Sequence, residues 1–74
     1  MIKSMWSNKA TAKVVEMMNE EQWIDITFHS LDRYVDTASA TKYLEQRLME
    51  SFGGAGVNHR EIAESLIQMV GNAQ

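Results

Sequence analysis

Neither cysteine nor proline occurs among these 74 residues. The first absence excludes disulfide staples and thiolate metal sites and suits a reducing compartment. The second excludes a proline-rich linker. Basic residues are scarce: seven Lys and Arg face ten Asp and Glu, for a net charge of −3. Three of the seven, Lys3, Lys9 and Lys13, precede every carboxylate, so the rest of the chain sets ten carboxylates against four basic side chains. A nucleic-acid surface needs clustered Lys or Arg to release phosphate counterions, and this distribution does not supply a cluster. An acidic surface is better matched to a basic patch on a partner. Long apolar runs are missing too. Nothing approaches the ~18 residues that cross a bilayer, and Met1-Ile-Lys-Ser-Met-Trp-Ser7 lacks the apolar core of a signal peptide. The expectation is a cytoplasmic protein with no membrane contact.

What is present argues for a folded chain. The apolar fraction of 45% is ordinary for a globular protein and too high for a disordered one. One domain over 1–74 is expected, with residues 1–7 as a flexible arm or short strand. A domain this small carries roughly 4 to 11 kcal/mol of stability, and chains below about 80 residues often need a staple or an oligomeric partner.

Gln22-Trp-Ile-Asp-Ile-Thr-Phe-His29 has the period-two alternation of a half-buried strand. Ile24, Ile26 and Phe28 fall on one face, and Trp23, Asp25, Thr27 and His29 on the other. Residues 33–36 could return as a short second strand, with Tyr34 and Val35 favouring extended backbone. Helical spacing accounts for the rest. Ser7 or Asn8 can cap a helix over Lys9–Glu21 with Thr11, Val14, Val15 and Met18 on one side. Thr37–Thr41 supplies caps for a second helix with Ala40, Tyr43 or Leu44, Leu48 and Phe52 facing inward, ended by Gly53-Gly-Ala-Gly56. Asn58 and Glu61 have capping-box spacing before a third helix with Ile62, Ala63, Leu66, Ile67 and Val70 as its stripe, stopped by Gly71. The expected fold class is α+β: three helices packed on a minimal antiparallel sheet.

Motifs that would name a reaction are absent. Gly53-Gly-Ala-Gly56 follows a helix, lacks a glycine at His59 and lacks a Gly-Lys pair, so it matches neither a dinucleotide loop nor a P-loop. His29 with Asp32, and His59 with Glu61, lack the i, i+4 spacing of a helical metal site. Ser30, a histidine and Asp32 would need an orienting group and an oxyanion pocket to make a hydrolase. No catalytic residue, cofactor or metal is assigned, and no enzyme is expected. Arg60-Glu-Ile-Ala-Glu-Ser-Leu66 resembles the Glu-Ile-Ala-x-x-Leu stretch in the first helix of many helix-turn-helix repressors. That resemblance implies DNA binding, but in that family the recognition helix follows within a few residues, whereas here Ile67-Gln-Met-Val-Gly-Asn-Ala-Gln74 follows.

The features left over suit protein recognition. A lone strand edge can pair with a partner's sheet. Trp6 and Trp23 are aromatic anchor types, with Asp25, Thr27 and His29 beside Trp23 on the expected outer face. Six methionines give adaptable contact surface. The expected function is a non-enzymatic protein that binds and modulates or inhibits a larger partner. In size and acidity it is similar to the small accessory proteins of phages and mobile elements. Two alternatives stand beside it: a small DNA- or RNA-binding regulator using Lys3, Lys9, Lys13 and Arg60, and a homo-oligomeric structural protein such as a homodimer.

Overall fold

A computed structural model describes residues 5–73, with side chains up to Gly71. Four helices follow one another: α1 (Lys9–Glu16), α2 (Glu20–Arg33), α3 (Thr37–Ser51) and α4 (His59–Ala73). No strand occurs among the described residues. The expected α+β class is therefore corrected to an all-helical fold, and with it go the strand at 22–29, the second strand at 33–36 and the sheet edge.

Local chemistry explains the change at 22–29. Asn19 opens α2 with a full capping box: its side chain accepts from the Gln22 amide at 2.8 Å, and the Gln22 side chain accepts from the Asn19 amide at 3.0 Å. Helical spacing then places Trp23, Thr27 and Ser30 on one buried line. The alternation of Ile24, Ile26 and Phe28 is incidental to that line. The hydroxyls on it are satisfied within the helix, Thr27 donating to the Trp23 carbonyl at 2.7 Å and Ser30 to the Ile26 carbonyl at 3.2 Å. Burial of Trp23 outweighs the modest extended preference of Ile24, Ile26 and Thr27.

Residues 34–36 are the α2–α3 connection. Tyr34 is extended at φ −129°, ψ 124° as the C-cap of α2, and Asp36 caps α3 by accepting from the Ser39 amide at 3.1 Å. The cap is thus Asp36 itself, one residue before the Thr37–Thr41 run. α1 ends at Glu16, short of the expected Glu21, and α4 continues past Gly71 to Ala73.

One core cluster joins all four helices: Val14 of α1, Trp23 of α2, Ala40, Leu44 and Leu48 of α3, and Ile62, Ala63, Leu66 and Ile67 of α4. α4 is the hub, packing against each of the other three. Ile26 is half-buried and packs against this core, while Phe28 points outward. The radius of gyration, 11.3 Å, matches the ~11 Å expected of a compact chain this long. Burial of this apolar surface supplies most of the stability.

The short α1 is pinned to the start of α4. Asn8 caps α1 through the Thr11 amide and also donates from Nδ2 to the Gly56 carbonyl, both at 2.8 Å. The buried Thr11 hydroxyl accepts from the Asn58 amide at 2.9 Å. Glu61 reaches the Ser7 amide and hydroxyl, Asn58 Oδ1 accepts from the Glu61 amide, and the Asn58 amide donates to Thr11, so the expected Asn58–Glu61 pair serves the α1 contact as well as the cap. Gly56 sits at φ +83° in the turn that brings Asn58 back to α1, a backbone region that favours glycine.

Candidate interaction face and groove

The expected partner-binding residues separate once residues 22–29 coil. A strand would set Trp23, Asp25, Thr27 and His29 side by side, whereas a helix sends Trp23 and Thr27 to one side and Asp25 and His29 to another. Trp23 and Thr27 are each 0% exposed. The indole stacks at a tilt on Phe52, with centroids 5.6 Å apart, and its Nε1 donates to the Val15 carbonyl at 2.8 Å. Both residues are corrected from contact surface to core. Trp6 is half-buried against the same core. Asp25 and His29 are exposed and line a groove between α2 and α3.

The basic residues do not assemble either. Lys9 and Lys13 are exposed one turn apart on α1, and Arg60 lies on α4 within 3.9 Å of Glu45 and 3.6 Å of Glu64. Lys3 lies outside the described residues. Ser30 is buried with its hydroxyl committed to the Ile26 carbonyl, so it does not meet His29 and Asp32 as a triad would require. His59 Nε2 stands 3.0 Å from the Phe52 carbonyl. No group of three His, Cys, Asp or Glu could hold a metal ion among the described residues. The exposed Arg60 and Glu64 lie on α4, whose opposite face, Ile62, Ala63 and Leu66, is committed to the core.

Two surfaces emerge that the sequence reading did not single out. The first is a second apolar line on α2, beside the buried one: Ile24, Phe28, Leu31 and, just beyond the helix, Val35. Ile24 and Leu31 are half-buried, Phe28 is 40% exposed and Val35 fully exposed. Glu21, Asp25 and Asp32 run along the neighbouring line, all exposed and none in an ion pair among the described residues. The spacing 24, 28, 31 was readable as a helical stripe, but only a helical α2 makes it one; Val35 follows in the connection, after the extended Tyr34.

The second surface is the α2–α3 groove, about 680 Å³, bounded by residues that include Ile26, His29, Arg33, Tyr43 and Arg47. Half-buried Tyr43 organises it. The Arg33 and Arg47 guanidinium carbons lie 5.4 and 5.9 Å from its ring centroid, and Tyr34 stacks on it at a tilt with centroids 5.2 Å apart. Nearby, the Ser39 hydroxyl and then the Ser39 amide hold the Asp36 carboxyl below the usual carboxylate range. No helix among the described residues is long and apolar enough to cross a membrane. No protein-family model, curated protein or solved structure matches the chain.

Proposed function

We propose that this chain is a non-enzymatic interaction protein that binds and modulates a larger protein, using the outward line of α2. One observation supports it: beside the buried line of Trp23, Thr27 and Ser30, α2 carries Ile24 and Leu31 half-buried and Phe28 exposed, and Val35 follows exposed just beyond the helix. Phe28 and Val35 stay exposed at 40% and 104% although the domain is small and has few apolar side chains to spare. Aromatic and aliphatic side chains on one helix face are the anchors of helix-in-groove recognition.

The carboxylates beside the line select the partner. An antiparallel pairing of two α2 helices would set equal flanks together, so Glu21, Asp25 and Asp32 of one copy would meet those of the other. A different protein, with basic side chains bordering an apolar cleft, has the complementary charge. This is the chemistry of a small acidic modulator, the type carried by phages and mobile elements.

The test is affinity capture from the native host with the parent protein and with Phe28→Asp/Val35→Asp. Both side chains are exposed, so helix content and melting temperature should stay close to the parent's. The parent should retain a protein that the variant loses. Equal recovery by both would overturn the reading.

A further inference from the structure

We infer that the α2–α3 groove binds a phosphate monoester between Arg33 and Arg47. Both guanidiniums are held on one half-buried ring, at 5.4 and 5.9 Å from the Tyr43 centroid, and Arg47 Nη1 also donates to the Tyr43 hydroxyl at 3.0 Å. Tyr34 supports that ring. Neither arginine is in an ion pair among the described residues, although Asp25 and Asp32 line the same groove. Arg60 differs, being close to Glu45 and Glu64. Two guanidiniums beside one ring, both lining the groove, leave positive charge there that a dianion would neutralise.

Geometry favours phosphate over carboxylate. A carboxylate has two oxygens and a single charge, whereas a phosphate monoester offers three terminal oxygens and up to two charges, a better match to donors from two forks. The groove, at about 680 Å³, is larger than a phosphate group and leaves room for the organic part of an ester beside Met18 and Ile26. Asp25, Asp32 and the net charge of −3 work against an anion, so binding is modest and sensitive to those carboxylates. The site uses a different flank of α2 from the Phe28 line and stands or falls independently of it.

Titration of the whole protein with inorganic phosphate at constant ionic strength, followed by amide and arginine side-chain NMR, tests this. Saturable shifts confined to the groove, including the Arg33 and Arg47 Nε–H signals, are expected. Arg33→Gln and Arg47→Gln should each weaken binding about tenfold, as loss of a charge-assisted fork does. Asp32→Asn should tighten it, and Arg60→Gln should leave it unchanged. Parallel titrations with phosphoserine and adenosine monophosphate separate the sources, the tighter ester marking a phosphorylated peptide or a nucleotide. The inference is overturned by the absence of saturation, by equal shifts with acetate, or by binding that survives both arginine substitutions. Arg33 and Arg47 are exposed, and an unaltered amide spectrum of Arg33→Gln away from the groove separates lost binding from a lost fold.

Discussion

Trp23 governs this protein at the scale of single residues. It is fully buried, stacks on Phe52 and spends its one polar hydrogen on the Val15 carbonyl. Truncating a buried aromatic costs about 3–5 kcal/mol, a large share of the ~4 to 11 kcal/mol available to a domain this size. Trp23→Ala should therefore abolish cooperative thermal unfolding or lower the midpoint sharply. A melting curve that matches the parent's would remove Trp23 from the core. Asp36 gives a second prediction at this scale. Its folded pKa is lowered, first by the Ser39 hydroxyl and then by the Ser39 amide, so the ionised carboxylate stabilises the folded state. That contribution is present above the unfolded pKa near 4 and is lost as pH falls through the lowered folded value. In Ser39→Ala, NMR titration should show the Asp36 pKa moving up toward the ordinary range. The stability gap between parent and variant should begin to narrow as pH falls below about 4 and close once pH is below the lowered folded value. A gap that persists in acid would mean the hydroxyl acts other than through the charge.

α1 is the dependent element. Its eight residues fall below the ~12–15 at which an isolated helix becomes even marginal in water, so docking sustains it. Asn8 joins both tasks, capping α1 at the Thr11 amide and holding the Gly56 carbonyl. Asn8→Ala should cost about 1–2 kcal/mol, and hydrogen exchange should quicken across residues 9–16 before it changes in α3 or α4. Uniform loss of protection would show instead that α1 unfolds only with the whole domain. α2 behaves differently, being opened by a capping box and locked by Trp23. Its sequence can be read in two ways: Ile24, Ile26 and Phe28 alternate as in a strand, while Trp23, Thr27 and Ser30 repeat as in a helix. The helical line contains two hydroxyl side chains and one indole, so a hydropathy pattern gives it little weight. The capping residues Asn19 and Gln22 carry a local signal that favours the helix.

At the scale of the whole molecule, charge and shape act together. Rg is that of a compact chain of this length, yet Phe28 on α2 and Val35 just beyond it are exposed beside three carboxylates with no ion-pair partner among the described residues. Those carboxylates should keep copies apart. Glu21→Gln/Asp25→Asn/Asp32→Asn is expected to self-associate in sedimentation at concentrations where the parent stays monomeric. Dimerisation of the parent, unaffected by the substitutions, would contradict the role given to this flank and favour a homo-oligomer. The basic residues show the same dependence on assembly. Lys9 and Lys13 remain one turn apart on α1, Arg60 is drawn toward α4 and α3 carboxylates, and Arg33 joins Arg47 beside Tyr43 only because α2 and α3 pack together.

By itself the amino-acid order determined the α4 stripe, the Asn58 cap and the glycine break before it, and it narrowed the α1 cap to Ser7 or Asn8 and the α3 stripe to one choice between Tyr43 and Leu44. Each depends on residues within a few positions of one another. It also determined the excess of acid and the lack of a metal-ligand or nucleotide motif. The state of residues 22–29 and the side on which Trp23 lies were decided by packing, because local preference between helix and strand differs by less than the burial of one indole. The outward Phe28 line and the Tyr43 cluster were decided there too: an apolar side chain is surplus, and Arg33 joins Arg47 beside Tyr43, only once α1, α3 and α4 have taken their places around α2.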